Sequence, residues 1–174
     1  STERAAHLES QFNVKTAIIQ ADLATDDGCA KVEKYLRENQ IEVLINNAGF
    51  GINKAFSVSE IDSEQQLLDV LVRTPMRLMH TVLPQMKERN TGSIINVSSV
   101  AGWIAGGTYS AAKSYLTVFS ESLHTELSKT NIKISELCPG FTKTEFHERG
   151  KMRMTGLPNF MWTTSDQVVK KSWR

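Results

Sequence analysis

The chain has only two cysteines, Cys29 and Cys138, among its 174 residues, and they lie far apart. No metal-type or redox spacing links them, so both read as small reduced core residues and no metal site is expected. The four histidines, His7, His80, His124 and His147, share no ligand spacing either. Net charge is almost absent: 20 Lys+Arg stand against 19 Asp+Glu, a balance of +1. That removes the electrostatic reason to expect a nucleic-acid or anionic-membrane partner. No apolar run approaches the roughly 20 residues needed to cross a bilayer, and no signal-peptide pattern is present. A cytoplasmic location is the expectation. Internal repeats, linkers and low-complexity segments are missing as well.

What is present is one domain's worth of globular chain over residues 1–174, 40% hydrophobic and 22% charged. Ala5, Leu8 and Phe12 fall at helical spacing among charged residues, which predicts an amphipathic first helix. Lys15–Gln20 (KTAIIQ) reads as a buried strand ending in Ala21-Asp22-Leu23. Thr25 or Asp26 then caps a helix to about Asn39. Ile41–Ile45 reads as a strand running into Asn46-Asn47-Ala48-Gly49. A long helix follows from about Asp62 to Lys87, with a bend expected at Pro75 or Pro84. Ser93–Val97 and Asn131–Leu137 read as two more strands, separated by a helix from Tyr109 to about Ser128. Ser165–Lys171 reads as a last helical stretch. Apolar strands alternating with helices predict an α/β fold with a doubly wound parallel sheet in three layers. Ligands bind such sheets beyond the carboxyl ends of the strands, where Asp22, Asn47, Ser99 and Pro139-Gly140 all fall.

One stretch carries chemistry. Gly92–Phe119 (GSIINVSSVAGWIAGGTYSAAKSYLTVF) reads as a strand, a Ser-Ser pair, a glycine-rich connection and a helix. Tyr109 and Lys113, four apart, share one helix face. A free phenol has a pKa of about 10, and a nearby ammonium favours the phenolate and lowers it. A serine hydroxyl from the strand end can hydrogen-bond the same oxygen or a substrate carbonyl. Such a constellation can pass a proton to or from a C–O group. Each piece also has a plainer reading, since Tyr-x-x-x-Lys recurs on many helices and Ser-Ser often caps a turn.

Leu44–Gly49 (LINNAG), then N-x-S-S, then Y-x-x-x-K, in that order, resemble the short-chain dehydrogenase/reductase family over essentially the whole chain. The resemblance implies a Rossmann-like sheet and hydride transfer between NAD(P), with NADP slightly favoured, and a carbonyl or secondary alcohol. It makes Tyr109 the general acid/base and Lys113 the residue that tunes it and holds the nicotinamide ribose. Ser99, rather than Ser98, would orient the substrate oxygen, although the ten-residue spacing from Ser99 to Tyr109 is shorter than is common. Asp22 and Leu23 resemble the adenine contact, with a helix-entry aspartate as the alternative. Asn47, Ala48 and Gly49 resemble the segment beside the adenosine ribose. Pro139 and Gly140, with Thr142 and Thr144, match the family's P-G-x-x-x-T loop, which contacts the carboxamide and diphosphate; Pro-Gly is also an ordinary turn signal.

Two departures stand out. The glycine-rich phosphate loop of a dinucleotide fold is not found, because Gly102-Trp103-Ile104-Ala105-Gly106-Gly107 lacks its spacing. By comparison with the family, the first βαβ unit and the last strand are expected to be missing from this sequence. Second, Leu71 falls where the family usually carries an asparagine that completes a proton relay, and leucine can neither donate nor accept a hydrogen bond. A catalytically weak or inactive Rossmann-like scaffold is therefore the rival expectation. An isomerase or dehydratase on the same cofactor is a third. Trp103, Phe50 and Phe146–Trp162, rich in Met and aromatics, would surround the mouth of an apolar substrate site, or else form an ordinary packed segment. A homodimer or homotetramer is the expected assembly.

Overall fold

The computed structural model describes residues 2–144, 158 and 162–172. Helix α1 (Thr2–Phe12) has no buried residue. Helix α2 (Asp26–Glu38) opens on Thr25, whose hydroxyl accepts from the Gly28 amide at 3.0 Å, satisfying one of the amides a helix start leaves unpaired. Asp26 and Asp27 sit in its first turn, where the helix dipole favours negative charge.

Three strands, β1 (Val43–Asn46), β2 (Gly92–Val97) and β3 (Ile132–Leu137), form a parallel sheet in the order β1-β2-β3. Asn46 stands opposite Asn96, and Asn96 opposite Glu136. Parallel neighbours need helical crossovers. Helices α3 (Ile61–Leu68) and α4 (Thr74–Arg89) supply the first, and α5 (Gly107–Glu126) supplies the second. Leu44, Ile94 and Ile134 alternate onto one face and pack with Cys29 and Leu36 of α2, Met79 and Met86 of α4, and Leu116 of α5. Val43 and Ile45 alternate to the other face and are exposed. This is the Rossmann-like α/β architecture expected.

The long helix is interrupted rather than bent at a proline. Asp69–Arg73 forms a π turn between α3 and α4, closed by the Thr74 amide donating to the Asp69 carbonyl. Pro75 follows at the start of α4. A proline ring collides with the carbonyl four residues back, here that of Leu71, and a widened turn at that point relieves the collision. The helix continues through Pro84 to Asn90, which adopts a left-handed conformation (φ 50°) and accepts from the Asn131 amide at 3.0 Å.

One expected element differs. Lys15–Gln20 is irregular, and Ile18 is 57% exposed. A strand exists only through a ladder partner, and among the described residues none pairs with this segment; instead the Thr16 amide and hydroxyl both donate to Glu9. Asp22 accordingly sits in a turn leading into α2, not at a strand end. A second parallel ladder, β4 (Phe141–Lys143) with β5 (Trp162–Thr164), was not anticipated. The Phe141 and Trp162 rings, 5.8 Å apart, pack across it, and α6 (Ser165–Ser172) follows where a helical stretch was expected.

Candidate active site

Strand β2 ends at Val97 and delivers two serines with different surroundings. Ser98 is buried; its hydroxyl donates to the Lys113 carbonyl at 3.0 Å and lies 3.1 Å from the Thr117 hydroxyl, so it ties the strand end to α5. Ser99 is extended and caps a short 3₁₀ turn over Val100–Trp103, its oxygen accepting from the Ala101 amide at 3.1 Å. The Ser99 hydroxyl also reaches toward the Pro139 carbonyl at 3.5 Å and is the neighbour that pulls the Tyr109 phenol's pKa down. Geometry thus separates an anchoring serine from one that faces the tyrosine.

Helix α5 begins at Gly107, whose φ of +71° favours glycine, and carries Tyr109 and Lys113 one turn apart. Lys113 is 5% exposed, an unusual burial for a lysine. Its ammonium donates to the Val97 carbonyl at 2.6 Å and lies 5.7 Å from the centre of the Tyr109 ring. Burial disfavours its charged form and lowers its pKa to about 8, against a smaller opposing pull from Cys138. The Tyr109 phenol is raised above its ordinary value because burial outweighs the Ser99 hydrogen bond that lowers it. The expected depression by Lys113 is therefore not the dominant effect: the ammonium faces the ring and the Val97 carbonyl, and desolvation sets the sign.

The adenine-contact candidates lie in the turn before α2. Asp22 accepts from the Ala24 amide at 3.0 Å through its carboxylate, and its carbonyl accepts from the Thr25 amide at 3.1 Å. Asp22 thus shapes the turn that leads into α2, while Thr25 supplies the cap itself. Leu23 is half-buried beside Asp22. Asn47, Ala48 and Gly49 form the exposed loop after β1. The strand-tying asparagine is Asn46, whose amide donates to Asn96 at 2.8 Å, while Asn96 donates to Ser120 at 2.9 Å. Pro139 accepts from the Val100 amide at 3.2 Å, which places its loop beside the Ser99 turn. Thr142 donates to the Gly140 carbonyl at 3.1 Å, and Thr144 ends the first described part of the chain and is exposed.

Leu71 is 1% exposed in the π turn and packs with Leu67 and Ala112, with Phe50 and Tyr109 against the same cluster. A Cβ on Gly49 would lie 2.8 Å from a Leu71 methyl, so the loop after β1 rests on this side chain. Trp103 is exposed. The Phe146–Trp162 segment, apart from Pro158 and Trp162, lies outside the described residues.

Several residues were not legible from motif order. Glu64 is buried in a small cleft of about 40 Å³ with Lys54, Gly106, Thr108 and Tyr109 along its lining. Its carboxylate accepts from the Ser59 hydroxyl at 2.5 Å, and that bond, followed by one from Thr108, lowers its pKa. Behind Lys113, Cys138 donates to Glu136 at 3.0 Å; burial first, and then the Glu136 carboxylate, pushes this thiol up to about 12. Thr117 donates to the same carboxylate. Only the fold brings these side chains to Lys113, so no spacing could have announced them. Among the described residues no cluster of His, Cys, Asp and Glu could hold a metal ion, and no helix is long and apolar enough to cross a membrane.

A parallel α/β sheet with a serine, tyrosine and lysine gathered at one strand end defines a Rossmann-like domain. Comparison with known proteins places it more closely: the family model for short chain dehydrogenase matches residues 1–153, and the chain belongs to that family. It is similar to the NADP-dependent 3-hydroxy acid dehydrogenase of Schizosaccharomyces pombe, 34% identical over 83% of this chain and 58% of that protein. It is also similar to the very-long-chain 3-oxoacyl-CoA reductase of Rattus norvegicus, 30% identical over 80% of this chain and 47% of the relative. A solved short-chain dehydrogenase from Sphingobium yanoikuyae in complex with NADPH superposes with a TM-score of 0.92 at 30% identity, over 97% of this chain and 67% of that one. The chain spans about half the length of the curated relatives it matches.

Proposed function

We propose that the protein is an oxidoreductase that interconverts a carbonyl and a secondary alcohol using NADP(H), through Ser99, Tyr109 and Lys113. The observation that carries this reading is the convergence of Tyr109 with Lys113, a nearly buried lysine one helical turn on whose ammonium lies 5.7 Å from the tyrosine ring and donates to the strand end that carries Ser99. The residues present fit a nicotinamide dinucleotide. A Cβ on Gly140 would meet nothing within 4 Å, which leaves open space beside Thr142. Hydroxyls, an amine and a carboxylate are the groups that bind ribose, carboxamide and adenine. On this reading Lys113 holds the nicotinamide ribose, Thr142 of β4 and Thr144 after it the carboxamide side, Asn47–Gly49 the adenosine ribose, and Asp22 with Leu23 the adenine. NADP is favoured over NAD because two of the three proteins described above, the 3-hydroxy acid dehydrogenase and the Sphingobium short-chain dehydrogenase, are NADP-dependent or bound to NADPH by name.

When bound, this cofactor supplies or accepts the hydride. In reduction, Tyr109 Oη gives its proton to the substrate oxygen as the carbonyl carbon gains hydride. A phenol held above its ordinary pKa keeps that proton until the oxygen takes up negative charge. Ser99 donates a hydrogen bond to the same oxygen and stabilises the developing charge. Lys113, with a pKa of about 8, still carries its proton at neutral pH but releases it more readily than a free lysine, and so can help reprotonate the phenol. The substrate is apolar, a reading supported by Ile52, Leu67 and the exposed Phe56 in the lining of the cleft. The working unit is one domain that assembles as a homodimer or homotetramer in the cytoplasm.

The test is NADPH consumption with a panel of aliphatic and aromatic ketones, for the wild type and Tyr109→Phe. Leu71 supports the rival reading of an inactive scaffold, since it fills the relay position with hydrocarbon. That reading predicts no turnover in the wild type and activity gained by Leu71→Asn.

A further inference from the structure

We propose that Arg73 and Thr74 are positioning residues for the adenine end of the cofactor site; the inference rests on the NADP(H) reading above. The π turn sets both. Thr74 is buried and its hydroxyl donates to the Leu23 carbonyl at 2.7 Å. Arg73 donates through one terminal nitrogen to the Ala24 carbonyl at 2.8 Å and through the other to Asp26 at 2.5 Å. Its Nε lies 3.2 Å from Asp69, which braces it from within the turn. Two consecutive carbonyls of the turn before α2 are therefore gripped from a helix some fifty residues away in sequence. The Arg73–Asp26 pair is largely exposed on the aspartate side, and such pairs add little stability. What the pair and the two carbonyl bonds fix is direction.

Holding these carbonyls fixes the peptide planes on either side of Ala24. The first of those planes begins at Leu23 and contains the Ala24 amide that donates to the Asp22 carboxylate, so it sets the bearing of both. The same turn is locked from the other side. The Thr25 hydroxyl donates to the Asp22 carbonyl at 2.9 Å, and a Cβ on Gly28 would lie 1.8 Å from that oxygen. The π turn works at both ends of the site. Leu71 of that turn packs in the cluster that Tyr109 packs against, while Arg73 and Thr74 hold the turn carrying Asp22. An unbroken α-helix would rotate the residues after position 69 to a different bearing, and π turns inserted in α-helices recur at functional sites for this reason.

The experiment compares binding of NADPH with that of reduced nicotinamide mononucleotide, which lacks the adenylate half, by fluorescence titration of the full-length protein. Amide hydrogen exchange across residues 22–28 is followed in parallel. Thr74→Val keeps the shape and removes the donor. It is expected to weaken NADPH roughly five- to tenfold, the worth of one hydrogen bond, and to leave the mononucleotide unchanged. Thr74→Ser restores NADPH affinity, and Arg73→Met, at a half-exposed position, repeats the split. The Ala24, Thr25 and Gly28 amides exchange faster in Thr74→Val while those of β2 do not change. An equal loss for both ligands, or no loss for NADPH, overturns the positioning role and leaves the cofactor reading standing. Failure of the wild type to bind either ligand overturns the cofactor reading and this inference with it.

Discussion

Lys113 donates to the Val97 carbonyl at 2.6 Å while its ammonium lies 5.7 Å from the centre of the Tyr109 ring. The lysine thus bridges the end of β2 and the phenol-bearing first turn of α5, and the burial of the lysine lowers its own pKa as the burial of the phenol raises that of Tyr109.

That burial has a thermodynamic signature. The folded pKa of Lys113 is lowered from 10.5 to about 8, so between these values the unfolded chain binds more protons than the folded one. Stability therefore rises with pH across this window, and below it the whole penalty, on the order of 3 kcal/mol, is carried by the native state. Lys113→Met removes the titration. The melting temperature of Lys113→Met minus that of the wild type is expected to fall steadily from pH 8 to 10.5, measured by thermal denaturation. A difference that is flat in pH contradicts the assignment.

Leu71 separates the catalytic question from the structural one. Its site is lined by Leu67 and Ala112 and offers an asparagine little to bond, so Leu71→Asn should cost about 2–4 kcal/mol. Urea denaturation gives the value; a cost below about 0.5 kcal/mol would mean the site is wetter or looser than described.

Gly28 tests the turn before α2. With a Cβ forced to 1.8 Å from the Asp22 carbonyl, Gly28→Ala must shift backbone, at about 3 kcal/mol. Chemical denaturation should show the loss, and NADPH affinity should fall with it. A neutral substitution would mean that α2 can slide on this turn without consequence.

Cys138 should be inert despite its partial exposure. A thiol pushed up to about 12 is almost wholly protonated at mildly alkaline pH, and the thiolate is the reactive form. Alkylation should be slow in the wild type and faster in Glu136→Gln, which removes the carboxylate's share of the shift. Rapid labelling of wild-type Cys138 would contradict the arrangement behind Lys113.

The parallel sheet, its helices and the Ser99–Tyr109–Lys113 group were legible because they rest on short-range rules: apolar runs, the Thr25 cap and the four-residue spacing on α5. The misread strand at Lys15–Gln20 shows the limit, since its composition suits a strand but composition does not supply a ladder partner. The π turn was hidden for a related reason. Pro75 signalled a disturbance, but its form depends on how Leu71 and Thr74 pack. Glu64 beside Tyr109, Arg73 on Ala24 and Thr117 on Glu136 are 45, 49 and 19 positions apart and meet only through the fold, beyond the reach of any local pattern. The sign of the Tyr109 shift was misjudged because spacing reveals a neighbour's charge but not the depth of burial.

The most direct measurement is single-turnover oxidation of bound NADPH with a bulky apolar ketone, for the wild type and Tyr109→Phe side by side. The account predicts that the two bind NADPH within about threefold of each other, while Tyr109→Phe loses 10²- to 10⁴-fold in rate, the usual worth of general acid catalysis, on the order of 3–5 kcal/mol. Equal rates, or a wild type that binds NADPH and never oxidises it across the ketone panel, would contradict it.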